Sequence, residues 1–124
     1  MSLFRNVNVI SIHVTDYEAA KKWYTDILDW PVAFSSDEAG WHEFGRDNET
    51  HVSLNRWDQA WGPTPQRGAT AVFSVDDAHA TTAALRAKGV KCDDVVVIPN
   101  MVTYGTFYDP EGNSLQFAST PAAA

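Results

Sequence analysis

The residues best placed to do chemistry sit on alternating strands. His13 falls in the run Asn-Val-Ile-Ser-Ile-His-Val over 8–14, and His51 in His-Val-Ser-Leu-Asn over 51–55. A period of two is that of a strand with one face on a core. Ile10, Ile12, Val14, Val52 and Leu54 take the apolar face, and Ser11, His13, His51, Ser53 and Asn55 the other. The same alternation over 69–75 and 114–118 sets Thr70, Ser74, Ser114 and Gln116 opposite Ala71, Phe73, Val75, Leu115 and Phe117. Such a row of imidazole, hydroxyl and amide groups can bind a small polar ligand if the sheet is concave. On an open sheet it is simply a solvated face. His42 is expected on the core side with Phe44, and His79 on the outside of a helix.

The elements that position these groups are legible. Thr15 and Asp16 can cap a helix running to about Leu28, with Tyr17, Ala20, Tyr24, Ile27 and Leu28 as its apolar stripe. Glu18 and Lys22 are spaced for an ion pair on its wet side, and Asp29-Trp30-Pro31 ends it. Strands are expected over 32–36, 41–45 and 51–55, with turns at 37–40 and 46–50. Residues 57–68, with Trp57, Trp61, Gly62, Pro63, Pro65 and Gly68, read as a connection. The order then recurs. A strand over Ala69–Val75 precedes a helix capped by Asp76 or Asp77 and stopped by Gly89. Strands over 95–98, 101–108 and 114–118 follow, with a tight turn at Asp109-Pro110-Glu111-Gly112-Asn113 and a frayed tail over Thr120–Ala124.

Composition narrows the function classes. The 124 residues hold 9 basic and 16 acidic side chains, a formal charge of −7, which disfavours nucleic acid and anionic membranes. Cys92 is the single cysteine and excludes an intramolecular disulfide or a multi-cysteine zinc site. No apolar run has the length of a membrane span, and residues 1–30 do not read as a signal peptide. A cytoplasmic location is expected.

The two halves superpose. Val14-Thr15-Asp16 precedes Val75-Asp76-Asp77 by 61 positions, while Phe44 and Ser53 precede Phe107 and Gln116 by 63. An internal repeat of this size sets the architecture. With Asp-Pro-Glu-Gly-Asn-Ser-Leu-Gln-Phe closing the second half and Trp23-Tyr24-Thr25-Asp26-Ile27-Leu28 in the first, residues 5–119 resemble the vicinal oxygen chelate superfamily. That group includes glyoxalase I, extradiol dioxygenases, fosfomycin-resistance enzymes and bleomycin-resistance proteins. The resemblance implies an α+β fold: two βαβββ modules in one chain, forming a curved mixed sheet with a concave ligand cup. The expected organisation is one domain over 1–124, with module one at about 5–57, a linker at about 58–68 and module two at about 69–119.

Metal-dependent members of that superfamily hold a divalent ion with four His, Gln or Glu side chains. Counted from the matching motifs, those positions here are Val9, Ser53, Thr70 and Gln116. Valine has no donor atom, and neutral hydroxyls are poor ligands. No metal and no cofactor are therefore expected. A displaced site would need His13, His51 and Glu43 to converge, although His13 lies four residues along its strand, about 13 Å, from the family position.

The resemblance also implies that Trp41, Glu43, Tyr104 and Thr106 line the cup with His13, His51, Ser53, Thr70 and Gln116. Beside aromatic rings, Glu43 is expected to be partly desolvated. Its pKa would then rise toward that of a general base, or its charge would hold a ligand cation. Trp57 and Trp61 are expected at the cup mouth or, preferably, a subunit seam. The leading expectation is a glyoxalase/bleomycin-resistance-like homodimer binding a cationic or aromatic small molecule without the usual divalent metal. The alternative is an enzyme of lyase, isomerase or dioxygenase type, metal-dependent only if the site has shifted.

Overall fold

The computed structural model describes residues 2–120, which form two compact units divided between Arg67 and Gly68. The last four residues of the expected tail lie outside the described residues.

Unit one runs β1 (Val9–Val14), α1 (Tyr17–Leu28), β2 (Val32–Ser36), β3 (Trp41–Phe44) and β4 (His51–Arg56), followed by a 3-10 turn at Gln59–Trp61. Its sheet order is β1-β4-β3-β2, with β1 parallel to β4 and the other pairs antiparallel. Asp16 caps α1 by accepting from the Ala19 amide at 3.1 Å, satisfying a donor the helix leaves open. Asp29 ends α1 in the left-handed region, at φ 51°. Tyr17, Ala20 and Tyr24 of the predicted stripe are buried with Val14, Phe44, Val52 and Leu54. Ile10, Ile12, Ile27 and Leu28 are only half-buried. Glu18 pairs with Lys21 at 3.1 Å rather than with Lys22, because Lys21 also reaches Asp37 at 2.8 Å in the β2–β3 turn.

Unit two repeats the plan with β5 (Val72–Ser74), α2 (Ala78–Ala87), β6 (Val96–Ile98), β7 (Val102–Tyr108) and β8 (Ser114–Ser119), in the order β5-β8-β7-β6. The repeat read from sequence is a repeat of register. Glu43 faces Ser53 and Phe44 faces Val52 in unit one; Thr106 faces Gln116 and Phe107 faces Leu115 in unit two. Ser11 faces Ser53, and its counterpart Val72 faces Gln116. β5 is shorter than the strand expected over 69–75, so Thr70 lies outside it and is exposed.

The Asp109–Asn113 motif closes β7 onto β8 for a structural reason. The buried Asp109 carboxylate accepts from the Glu111 amide at 3.0 Å, the Asn113 amide at 2.8 Å and the Asn113 side chain at 2.7 Å. Gly112 supplies the positive φ of 84° that the turn requires. Among the described residues no helix is long and apolar enough to cross a membrane.

Candidate functional site

The geometry of unit one gathers three of the predicted residues into one chain of hydrogen bonds. Trp41 and Glu43 lie on the same face of β3, two residues apart, and His51 begins β4. The Trp41 indole N–H donates to Glu43 Oε1 at 3.0 Å. His51 Nδ1 meets Glu43 Oε2 at 2.5 Å, and His51 Nε2 meets the Arg46 carbonyl at 2.8 Å. Both ring nitrogens thus face acceptors, an environment suited to imidazolium. The side chains of His51 and Glu43 keep 15% and 17% of their exposure, so the pair is mostly shielded from solvent.

Electrostatics follow from that geometry. The Glu43 carboxylate, then the Arg46 carbonyl, raise the His51 imidazole above its ordinary pKa. Burial pushes the Glu43 carboxyl up. The hydrogen bonds from His51 and Trp41, with the His51 charge, outweigh burial and hold it below the usual carboxylate value. The expected rise of the Glu43 pKa is therefore reversed in direction. Its two oxygens already accept hydrogen bonds, and its proton affinity is reduced.

One feature holding this chain in place was missed in the sequence. Gly45, directly after β3 at φ 154°, lies under the His51 ring; a Cβ there would stand 2.0 Å from His51 Cδ2. Only glycine leaves that space. A glycine at a strand end beside a histidine-led strand was the available signal. Ser53, opposite Glu43 in register, is fully buried, and its hydroxyl has no hydrogen-bond partner among the described residues.

His13 does not join this group. It faces Asn55 in register, whereas His51 faces Val9, four positions along β1. Its Nδ1 meets the Gln66 carbonyl at 3.0 Å, and its ring packs edge-on against Trp57 at 5.0 Å and Trp61 at 6.4 Å. The displaced trio of His13, His51 and Glu43 is accordingly not assembled. Among the described residues no group of three or more His, Cys, Asp or Glu side chains could hold a metal ion. His42 lies against Phe44 at 4.8 Å and hydrogen-bonds Ser35 at 2.7 Å; burial, then the Lys21 charge, lower its pKa. His79 is exposed on α2.

In unit two, Gln116 Nε2 donates to the Thr106 hydroxyl at 3.2 Å, and Tyr104 is half-buried on the same strand as Thr106. This neutral pair occupies the positions that Ser53 and Glu43 hold in unit one. Unit one also carries an open hollow of about 440 Å³ bounded by the β2–β3 turn, the end of β4 and the 3-10 turn. Trp57 and Trp61 line it, their rings edge to face at 5.3 Å.

Two βαβββ units of identical strand order define an α+β protein of the two-module type. The family model of the glyoxalase/bleomycin resistance protein/dioxygenase superfamily matches residues 6–117, and the chain belongs to that superfamily. Its fold is similar to that of TnmS3, an antibiotic binding protein from Streptomyces sp. CB03234, at a TM-score of 0.78 and 25% identity over 98% of this chain and 100% of that one. A glyoxalase/bleomycin resistance protein from the same organism is similar at 0.68 and 26% identity, over 90% of this chain and 98% of that one. Lactoylglutathione lyase from Agrobacterium tumefaciens shares the fold at 0.72 and 18% identity, over 95% and 96% of the two chains. No curated protein sequence matches significantly.

The divalent metal implied by the superfamily does not fit the residues present. Of Val9, Ser53, Thr70 and Gln116, one has no donor, two are neutral hydroxyls, and the amide nitrogen of the fourth is bonded to Thr106.

Proposed function

We propose that this chain binds a small aromatic or cationic molecule on the polar strand faces of its modules, without a divalent metal. The observation that carries this reading is the donor set just described, which lacks the His and Glu ligands a metal-dependent member needs. In unit one the polar strand face carries Trp41, Glu43 and His51, with Ser53 buried beside them, and in unit two the equivalent face carries Tyr104, Thr106 and Gln116. His13 and Thr70 take lesser parts. Glu43 acts as a fixed anion that orients the Trp41 indole, so the face offers an aromatic plane beside shielded charge. The fold shared with an antibiotic binding protein supports the same reading.

The reading includes a homodimer. The outer strands β2 and β6 expose Val32, Phe34, Val96 and Val97, apolar surface that a second copy would cover. It also includes a cytoplasmic location, in keeping with a free Cys92.

Elemental analysis of protein purified without a metal-affinity tag, followed by titration with zinc, nickel, manganese and iron, tests the metal-free reading. No stoichiometric ion is expected, and one tightly held ion per chain would overturn it. Quenching of tryptophan fluorescence by bleomycin and by aromatic cations then tests binding. Saturable quenching weakened by Trp41→Phe is expected; no saturable quenching by any of these compounds would count against the strand-face site. Enzyme chemistry would show instead as a turnover lost in Glu43→Gln while binding is kept.

A further inference from the structure

The hollow in unit one lies apart from the hydrogen-bond chain of Trp41, Glu43 and His51, and its lining has a chemistry of its own. Trp57 and Trp61 form one wall, the first fixed by its indole N–H donating to the Gly62 carbonyl at 2.9 Å and by the His13 ring against it. Trp61 is 57% exposed, so much of its ring is open to a ligand. Glu38 and Asp58 bring two carboxylates to the rim. Asp58 Oδ1 accepts from the Ala60 amide at 2.8 Å, and among the described residues Glu38 has no hydrogen-bond or ion-pair partner for its carboxylate.

Arg56 is the one cation in the lining, and among the described residues it pairs with neither carboxylate. Its two terminal nitrogens donate to the Asp37 and Glu38 backbone carbonyls at 3.2 Å each, and its guanidinium lies over the Tyr17 ring at 5.4 Å. The close fit of Gly40 under the Arg56 side chain, where a Cβ would stand 2.7 Å from Arg56 Cβ, holds it in that position. Two carboxylates against one committed guanidinium leave the hollow net negative, with indole faces beside it. That combination recognises a cation through ring quadrupole and charge together. About 440 Å³ is the size of an ordinary small-molecule site.

We infer that the hollow lined by Trp57, Trp61, Glu38 and Asp58 is a binding site for a planar organic cation, separate from the strand-face site proposed above.

The test uses the full chain and two probes of matched shape, N-methylquinolinium and neutral 1-methylnaphthalene, followed by calorimetry and tryptophan fluorescence. Wild-type protein is expected to bind the cation saturably and the neutral probe at least about tenfold more weakly. Trp61→Ala, at an exposed position that folding does not require, weakens the cation about tenfold, and Trp61→Phe restores most of that. Asp58→Asn, which keeps the oxygen that caps the 3-10 turn, weakens it a few-fold in low salt and hardly at all in 0.5 M salt. The part of the cation titration that Trp61→Ala removes persists in Trp41→Phe, which reports only on the strand-face site. Absence of saturable binding overturns the inference, as does equal affinity for both probes. So does a Trp61→Ala variant that binds normally while Trp41→Phe does not, a result that leaves the strand-face reading standing. A change of mass in solution on Trp61→Ala also overturns it, because the indole wall would then be a contact between copies.

Discussion

Replacing Gly45 by alanine should release the His51 ring and dismantle the Trp41–Glu43–His51 chain. The new methyl carbon would lie 2.0 Å from His51 Cδ2 and 2.5 Å from Cγ, far inside contact distance, so the ring must leave. Its departure removes the hydrogen bond to Glu43, which joins two charged groups and contributes about 1.5–3 kcal/mol. It also removes the bond to the Arg46 carbonyl, worth about 1 kcal/mol. An L-residue held at φ 154° adds about 1–3 kcal/mol of strain. Gly45→Ala should therefore cost roughly 4–6 kcal/mol, and His51→Ala, free of the strain, roughly 2–4. The double variant should be no worse than Gly45→Ala alone, since the ring can be lost only once. Urea unfolding of the four proteins of this cycle should yield a coupling energy of about 2–4 kcal/mol, the whole cost of His51→Ala. In parallel, the Trp41 indole proton resonance should shift in both single variants. Additive costs, with coupling under about 0.5 kcal/mol, would show that the ring does not depend on the missing Cβ.

The ion pair makes stability depend on pH from both sides. His51, raised in the fold, stabilises fully below its ordinary pKa, and this contribution is lost as pH rises through the folded value. Glu43, lowered in the fold, stabilises above its ordinary pKa, and that contribution is lost as pH falls through the folded value. Chemical unfolding should thus show a stability maximum between the two, and Glu43→Gln should flatten both flanks; an unchanged profile would exclude the pair as its source. Asp109→Asn should cost about 2–3 kcal/mol, because the amide group cannot accept from the Glu111 and Asn113 amides and the Asn113 side chain together; an unchanged urea midpoint would show that the carboxylate is dispensable. Gly105→Ala should destabilise unit two, since a Cβ there would meet Phe117 Cζ at 2.4 Å, and near-wild-type thermal unfolding would contradict that placement.

The fold was legible because two independent signals agreed. Alternation fixed which face of each strand is apolar, and the offset between the halves fixed the register. Glu43 opposite Ser53 and Thr106 opposite Gln116 are what the superposed halves require. Helix starts were equally readable, since Asp16 and Asp77 both cap with their side chains. The shortness of β5 was not, because the alternation of Ala71, Phe73 and Val75 reads the same whether the ladder with β8 spans 69–75 or only the three paired residues Val72–Ser74. Site chemistry was legible only in part. Trp41, Glu43 and His51 do converge, but the sign of the Glu43 shift depended on which groups reach its oxygens. That is settled by side-chain geometry, and so is the choice of Trp57 and Trp61 as neighbours for His13.

The repeat makes the difference between the modules informative. The register positions of Glu43, Ser53 and His51 in unit one are taken by Thr106, Gln116 and Ser114 in unit two, so the charged pair of one module stands where the other has only neutral groups. Strand pairing therefore does not demand the charge, since the second module closes the same ladder without it. The charged pair instead constrains its surroundings: it needs Gly45 beneath the ring and the Arg46 carbonyl beside it, and it fixes the direction of the Trp41 indole. Unit two places Tyr104 where unit one places Trp41, and Thr106 cannot accept two such bonds on separate oxygens as Glu43 does. Replacing Glu43, Ser53 and His51 by their unit-two counterparts Thr, Gln and Ser should consequently leave a folded module with a weakened fluorescence response to aromatic cations. Retention of the full response would mean that the charged pair contributes to stability alone.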